Sequence, residues 1–326
     1  MNEQFRTSFD INTSDKKINY SGSTLFAGSC FAENISDKLL LHKFNVLNNP
    51  FGIIYNPVSL AMEFVAIMMQ HTFTEQDIFE ENGLYKSFHL HSRITHPDKN
   101  EMLKIANNAL FKSHAFLKTA THLIITFGTS RVYILKETNG VVANNHKQPG
   151  HLFNKVQLTK EQVATIVSDL VKRLKTFNPD LQVIFTVSPV RHFKDGAVEN
   201  MLSKSVLINA VHEIIKQDNS IYYFPAYEIM MDDLRDYRFY AEDMLHPNTV
   251  AIDYIFEKFK YACIDEKTFP LMDKIAEIKT AMAHRPFFPE LEQHKKFREN
   301  YLQKVLELQK ENANIDFEEE IKYFES

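Results

Sequence analysis

Several features that define common protein classes are scarce in this sequence. Tryptophan is absent, and the 326 residues include only 8 glycines and 2 cysteines. So few glycines exclude collagen-like and glycine-rich low-complexity chains, and Cys30 and Cys263 cannot build a disulfide framework. No apolar run reaches the ~20 residues that a membrane span needs. These absences favour an ordinary globular protein over fibrous, disulfide-rich or membrane-spanning classes.

The charge balance excludes a further class. The formal net charge is -5, whereas a nucleic-acid partner favours a basic patch. The first twenty residues are polar and lack the apolar stretch of a secretion signal. We therefore expect a cytoplasmic protein in a reducing compartment, with no nucleic-acid or membrane partner.

The sequence does contain alternating strand and helix patterns. Short, continuous apolar runs, typical of strands buried on both faces, occupy residues 24–27, 44–47, 123–127, 183–187 and 221–224. Amphipathic helical segments occupy residues 31–41, 57–70, 101–120, 159–176, 198–216 and 249–262. This alternation predicts an α/β fold with a parallel sheet flanked by helices.

Three further segments interrupt or extend this pattern. Residues 72–97 and 131–154 contain the turn signals Asn82-Gly83 and Asn139-Gly140, which predict hairpin-like insertions that could cover a site at the strand ends. Residues 289–326 are rich in Glu, Lys and Gln, and their apolar positions Leu302, Val305, Leu306 and Ile315 predict a long helix. That helix is expected to pack on the main domain or on another subunit of a homo-oligomer.

Two local patterns carry chemistry. Gly28-Ser29-Cys30 follows the first predicted strand and puts two nucleophile-capable side chains at a turn. Asp243 and His246 lie three residues apart before a predicted helix, a spacing that lets the carboxylate orient the imidazole. Each pattern alone is also compatible with an ordinary helix start, in which Asn248 is a cap.

Taken together, these patterns resemble those of the GSCFA family within the SGNH (GDSL-like) hydrolase superfamily. The resemblance rests on GSCFA at residues 28–32, PFGIIYNP at 50–57, SPVRH at 188–192 and RFYAEDM at 238–244. It covers residues 20–265 and implies a flavodoxin-like (SGNH-type) sheet with an ester-cleaving or acyl-transferring site at the strand ends. We accordingly predict a GSCFA domain over residues 1–265 and a helical C-terminal extension over 266–326.

The resemblance also implies roles for individual residues. Matching the superfamily's Gly-Asp-Ser block places Cys30 on the nucleophile and Ser29 on the Asp, and Asp243 and His246 match the last block. Gly52 matches the glycine whose backbone N–H helps bind the oxyanion, and Gly128 begins the third block, in which Ser130 replaces the oxyanion-binding Asn. The backbone N–H groups of Cys30 and Gly52 are therefore expected to hold the oxyanion with help from Ser130. Loss of an oxyanion donor typically costs about 10²–10³ in rate.

Which of the two neighbours is the nucleophile is a separate question. A thiol at the N-terminus of a helix feels the positive end of the helix dipole, so we expect the pKa of Cys30 to be lowered. A thiol also needs less help from a base than a hydroxyl does. Ser29 remains the competing nucleophile, and Cys263 is expected to be a buried structural residue.

The remaining polar candidates suggest a binding pocket. His89 and His91 alternate on the first insertion, so in a strand they would face the same side. His146 and Lys147 lie on the second insertion, and Arg131, Arg191 and His192 follow strands, where they are expected to bind an anionic or hydroxyl-rich substrate. Same-face histidines are also compatible with zinc, but the other histidines lack metal-binding spacing, so no metal or cofactor is predicted.

The sequence therefore predicts an acyl-transfer enzyme. In this interpretation Cys30 or Ser29 attacks an ester of a carbohydrate or another small hydroxylated molecule, His246 is the base and Asp243 orients it. Esterase and O-acyltransferase activity are not distinguished. The alternatives are a non-catalytic carbohydrate or acyl-ligand binding module and a scaffold that assembles through the C-terminal helices.

Overall fold

A computed structural model describes residues 7–288 and 290–325. Its strands are β1 (Ser23–Gly28), β2 (Asn45–Asn48), β3 (Phe79–Glu81), β4 (Leu84–Lys86), β5 (His122–Phe127), β6 (Arg131–Leu135), β7 (Gly140–Val142), β8 (Phe153–Gln157), β9 (Gln182–Val187) and β10 (Tyr222–Tyr223). Its α-helices are α1 (Cys30–Leu41), α2 (Pro57–Met69), α3 (Lys99–Thr119), α4 (Lys160–Phe177), α5 (Ala197–Gln217), α6 (Ala226–Glu228), α7 (Thr249–Cys263), α8 (Phe269–Ala283), α9 (Glu292–Glu311) and α10 (Glu318–Glu325).

The central sheet is parallel and has the order β10-β9-β5-β1-β2. Numbered along the chain, its strands follow the flavodoxin-like order 2-1-3-4-5, and the predicted α/β fold is confirmed. Because all five strands run the same way, their carboxyl ends meet at one edge of the sheet. The segments after β1, β5 and β9 therefore leave from this edge.

The inner strands β1, β5 and β9 are buried on both faces of the sheet, which explains why they are largely apolar. Leu25 and Ala27 of β1 pack toward the helices α2, α3, α4 and α5. Phe26, between them, packs on the opposite face against α1 and α7. The period of two along the strand assigns alternate side chains to the two cores.

The two insertions differ from one another. The first contains the antiparallel hairpin β3–β4, and its turn residues Asn82 and Gly83 have φ of 54° and 76°, as the Asn-Gly signal predicts. The second was predicted as a hairpin but forms a three-stranded antiparallel sheet, β7-β6-β8, because the chain returns along β6 after the β6–β7 turn. Its last strand ends at Gln157, three residues beyond the predicted boundary.

The C-terminal residues form a small core of their own. Ile275 and Ile278 of α8 pack with Val305, Leu308 and residues near α10. The predicted long helix is present as α9, but it ends at Glu311 and does not include Ile315, because the chain turns between α9 and α10. Leu306, assigned to the apolar stripe, is instead exposed, and Leu308 takes its place. The predicted tail limits Pro289 and Ser326, and residues 1–6, lie outside the described residues.

This extension contacts the α/β region through charged and polar groups. Lys43, just after α1, forms an ion pair with the buried Glu320 of α10 and donates a hydrogen bond to the Asp316 carbonyl. The boundary at residue 265 and the predicted homo-oligomer stay predictions. Among the described residues, no helix combines the length and apolar character needed to cross a bilayer.

Candidate active site

The turn after β1 requires a glycine and uses a serine as a cap. Gly28 has φ of 129°, and a Cβ there would lie 2.1 Å from the carbonyl oxygen of Thr126 on the neighbouring strand. Ser29 is completely buried, and its Oγ accepts a hydrogen bond of 3.3 Å from the N–H of Phe31. This is the N-cap bond that the start of α1 needs. Ser29 is thus engaged in the helix start, while Cys30 at the first helical position is partly exposed.

The expected lowering of the Cys30 pKa is wrong. Burial raises the pKa of the thiol, and the carboxylate of Glu33 raises it further. The backbone N–H groups of Cys30 and Phe31 and the charge of Lys204 act in the opposite direction but do not outweigh burial. The helix N-terminus is present as predicted, yet desolvation of the thiolate dominates. The resting side chain is therefore a thiol that needs a base to become a nucleophile.

Asp243 and His246 form the predicted pair. Asp243 Oδ2 lies 2.6 Å from His246 Nδ1, and Oδ1 accepts hydrogen bonds from the backbone N–H groups of Leu245 and His246. These backbone and side-chain bonds lower the pKa of Asp243 to about 2. In the tautomer that donates from Nδ1 to this carboxylate, Nε2 is the hydrogen-bond acceptor of the ring. Asn248 caps α7, so the loop serves as both helix start and His-Asp unit.

The loop that carries His246 is tied to the end of β9. The N–H of Arg191 donates to the Leu245 carbonyl at 3.2 Å. The next residue, His192, contacts the ring of Tyr55 edge-on, with centroids 5.2 Å apart. Gly128 lies against both rings. A Cβ added at this residue would lie 3.1 Å from Tyr55 Cδ1 and 3.2 Å from His192 Nε2. The structure thus joins the segments after β2, β5 and β9 and the His246 loop.

His192 has an unusual environment at this junction. Burial lowers its pKa to about 3, and the charges of Lys204 and His246 add to that effect. Its Nε2 is buried and has no hydrogen-bond partner among the described residues. His192 is therefore a neutral imidazole with a free nitrogen at the strand ends.

Lys204 on α5 was not singled out by the sequence. Its side chain is 1% exposed, and Nζ donates to the carbonyl oxygens of Gly128 at 2.8 Å and Ser188 at 2.7 Å. Burial lowers its pKa to about 7, and the charge of Cys30 raises it in part. Because Lys204 also lowers the pKa of Cys30, the two groups lie within electrostatic reach of one another.

A periodic signal for Lys204 did exist. Asn200, Ser203 and Lys204 fall at i, i+3 and i+4 and continue the stripe whose next buried member is Leu207. Asn200 accepts from the N–H of His192, and Ser203 Oγ accepts from the N–H of Ser130. A polar patch on the apolar stripe of a helix therefore marked the side that faces the strand ends.

Three of the residues predicted at the oxyanion site, Gly52, Gly128 and Ser130, form hydrogen bonds within the protein. The N–H of Gly52 donates to the Asn49 carbonyl at 2.7 Å, and that of Gly128 donates to the Tyr55 carbonyl at 2.8 Å. Ser130 is fully buried, and its hydroxyl donates to the Ser203 carbonyl. In this conformation these three groups support the backbone. The remaining predicted donor, the backbone N–H of Cys30, lies at its own thiol, where it acts to lower the pKa of that group.

The histidines of the insertions are dispersed. Residues 87–91 form turns between β4 and α3, so His89 and His91 do not have the common orientation that a strand would give them. His91 lies against Gly52, whereas His89 lines a separate groove along α2. His146 is buried, and its Nε2 pairs with the Ser87 carbonyl at 2.7 Å. It therefore joins the two insertions.

The predicted cations have mixed positions. Arg131 pairs with Glu199 and lies 3.9 Å from Asp195, which neutralises its charge. Lys147 is exposed on the second insertion. Arg191 lies over the ring of Phe193, beside the His246 loop. Of the predicted cations, Arg191 is the one whose backbone is hydrogen-bonded to the loop that contains Asp243 and His246. Within the described residues, no cluster of three or more His, Cys, Asp or Glu side chains could hold a metal ion.

Comparisons with known proteins give two family matches. The model described as the GSCFA family matches residues 23–259, and that of the GSCFA domain protein, C-terminal domain, matches residues 275–326. The search of curated proteins found no match.

Solved structures with a similar chain course are distant. Esterase EstA from Pseudoalteromonas sp. is 12% identical, with 74% of this chain and 96% of that chain covered and a TM-score of 0.36. A proposed GDSL-like lipase from Parabacteroides merdae is 14% identical, with coverage of 77% and 98% and a TM-score of 0.40. A proposed acylhydrolase from Bacteroides fragilis is 10% identical, with coverage of 76% and 88% and a TM-score of 0.40. These scores are too low to transfer functional residues.

Proposed function

The chain belongs to the GSCFA family, and from this premise we propose that it is an acyl-transfer enzyme with Cys30 as its nucleophile. The observation that carries the proposal is the 2.6 Å contact between Asp243 Oδ2 and His246 Nδ1. That contact directs Nε2 of a neutral imidazole away from the carboxylate, as a general base requires. The raised pKa of Cys30 makes such a base necessary.

The chemical steps follow from these groups. His246 Nε2 takes the proton of the Cys30 thiol as Sγ attacks the ester carbonyl. The tetrahedral intermediate collapses to a thioester, and the imidazolium gives its proton to the departing alkoxide. Water or a hydroxyl of a second molecule then attacks the thioester with His246 again as base, and the thiol is restored. Hydrolysis and O-acyl transfer differ only in that acceptor.

His192 is our choice for the oxyanion donor. Gly52, Gly128 and Ser130 are engaged in hydrogen bonds within the protein, whereas Nε2 of His192 is buried and unpartnered in the described structure. With its proton on Nε2, a neutral imidazole donates a hydrogen bond to a developing oxyanion without adding a charge. We assign Arg191 to substrate binding and propose an acylated carbohydrate or another small hydroxylated ester as substrate.

Acyl-enzyme formation tests the proposal directly. The purified protein is mixed with 4-nitrophenyl acetate, and both nitrophenol release and the intact mass are followed. We expect the wild type to gain the mass of one acetyl group. The Cys30→Ala variant should gain none, and Cys263→Ala should be labelled like the wild type. Ser29→Ala should destabilise α1 by about 1 kcal/mol through loss of the cap but should keep turnover. Turnover that survives Cys30→Ala and vanishes in Ser29→Ala would assign the nucleophile to Ser29.

A non-catalytic binding module is the second candidate. It is favoured by the commitment of Gly52, Gly128 and Ser130 and by the raised pKa of Cys30. A binding module should give no acyl adduct and identical nitrophenol release in wild type and Cys30→Ala. It should still bind acetylated sugars, which calorimetric titration with a panel of such sugars measures.

A further inference from the structure

A second concave region lies along α2, beside the two insertions. It has a volume of about 530 Å³, within the range of small-molecule sites. Its walls are mainly apolar and include Phe51, Val58, Met62, Met69, Phe73 and Val141. Of the described residues that line it, none is Cys30, Asp243 or His246. This α2 groove is therefore a separate feature from the proposed catalytic edge.

Glu63 is the unusual member of the α2 groove. The residue is 4% exposed, and neither carboxyl oxygen has a hydrogen-bond partner among the described residues. The backbone N–H of Phe51 is the polar group that acts on the carboxyl group: it lowers the pKa of Glu63 but is outweighed by burial. Burying an unpaired carboxyl group costs several kcal/mol in general, so an apolar residue would suit this helix position better. An unpartnered polar group in an apolar recess indicates a missing hydrogen-bonding partner.

The protonation state of Glu63 limits what that partner can be. Burial raises the pKa of Glu63 to about 8, so the group is a neutral carboxylic acid at neutral pH. Such a group donates through its O–H and accepts through its carbonyl oxygen. The other titratable residues of the groove are His71, Asp77 and His89. Asp77 is engaged with the N–H and hydroxyl of Thr74, and burial lowers the pKa of His89.

We infer that the α2 groove binds an uncharged, mainly aliphatic molecule whose single hydroxyl group pairs with the carboxyl group of Glu63. A hydroxyl both donates and accepts, so it matches both functions of the neutral acid. The apolar walls take the aliphatic part, and an ionic head group would lose its hydration there. This inference depends on the groove alone and not on the proposed acyl-transfer activity.

Binding is measured with 1-octanol as the probe. The full chain is labelled with ¹³C at its methionine methyl groups, and Met62 and Met69 report on the groove wall. We expect saturable shifts of these two signals, whereas Met244 in the His246 loop should not change. Absence of saturable shifts at Met62 and Met69 would overturn the inference.

Three substitutions test the role of Glu63 and of the groove volume. Glu63→Gln keeps a donor and an acceptor and should bind 1-octanol within about threefold of wild type. Glu63→Leu should bind it about threefold to tenfold more weakly, the net effect of one lost hydrogen bond. Ala66→Phe, on the groove wall, should abolish binding by filling the space. Unfolding curves establish that each variant is folded, and equal affinity of Glu63→Leu and wild type would contradict the inference.

Charged analogues of the same length define the ligand class. At pH 7 we expect octanoate and octylammonium to bind at least tenfold more weakly than 1-octanol. Tighter binding of octylammonium would make Glu63 a cation site, and tighter binding of octanoate would indicate a fatty-acid site. Either result would overturn the uncharged-ligand inference, and neither would affect the test of Cys30 acylation.

Discussion

The strand-end edge around Lys204 and the α2 groove around Glu63 each bury one ionisable side chain. Lys204 is 1% exposed and Glu63 is 4% exposed, and both helices pack on the same face of the sheet. Lys204 donates to two carbonyl oxygens, whereas the Glu63 oxygens have no partner among the described residues. Burial shifts both pKa values toward the neutral form. The two residues therefore differ in function: Lys204 is held by partners within the protein, whereas Glu63 is the residue for which we infer a ligand.

The largest expected effect is on the edge. His246→Ala should lower the rate of ester turnover by about 10²–10⁴, because the thiol with a raised pKa loses its base. The measurement is the initial rate of nitrophenyl acetate cleavage. Met244→Ala, in the same exposed loop, is the matched control and should leave the rate unchanged. A loss of less than threefold in His246→Ala would remove the general base from the mechanism.

Like the Glu63 carboxyl group, His192 Nε2 is buried without a hydrogen-bond partner in the described structure. Substitutions of His192 test whether this nitrogen takes part in catalysis. His192→Phe should lower the rate of acyl-enzyme formation by about 10²–10³, the usual cost of one oxyanion donor. His192→Gln keeps an N–H donor in a similar position and should recover part of that loss. Equal rates in the Phe and Gln variants, with both folded, would show that packing rather than hydrogen bonding matters at this position.

Because Glu63 is buried, the free energy of unfolding of the protein should depend on pH. The unfolded carboxyl group loses its proton near pH 4.5, while the folded group keeps it to about pH 8. The folded state therefore binds more protons in this interval, so the free energy of unfolding should fall as pH rises from 4.5 to 8. Glu63→Gln should be more stable than wild type at pH 8 by roughly 2–4 kcal/mol. Urea unfolding at pH 5 and pH 8 measures the difference, which should shrink at the lower pH.

The smallest expected effect concerns the link between Lys204 and Cys30. Removing the cation in Lys204→Met should raise the pKa of the thiol further and slow iodoacetamide labelling of Cys30 at pH 7 by about threefold to tenfold. Lys216→Met, an exposed change on the same helix, should have no effect. An unchanged labelling profile in Lys204→Met would mean that the lysine supports only the carbonyls of Gly128 and Ser188.

Local sequence patterns predicted the strands of the central sheet and one contact of the candidate site. The strands of the central sheet begin and end within two residues of their predicted limits, because burial on both faces leaves continuous apolar runs. The Asp243–His246 contact could also be predicted from the sequence, since both residues belong to one loop. The turns around His89 gave no comparable signal, so the sequence did not establish whether His89 and His91 face the same side.

The errors at the site share a tertiary origin. The glycines after the strands are where the motif predicts them, but the partner of the Gly128 N–H is the Tyr55 carbonyl of a distant segment. The helix N-terminus at Cys30 is a local feature, whereas the burial that raises the thiol pKa comes from the surrounding structure. Spacing along the chain does not contain these pairings.

Local sequence patterns were enough to predict the individual strands and helices of the α/β fold, the helix that follows the Gly28 turn and the contact between Asp243 and His246, because each of these depends on residues close together along the chain. Only the tertiary structure decided which hydrogen-bond donors at the strand ends are free and which buried groups are neutral. Lys204 and Glu63 lie on separate helices, and their protonation depends on the water excluded by neighbours far away in sequence. Desolvation is a property of the packed molecule, so it cannot be assigned from local spacing.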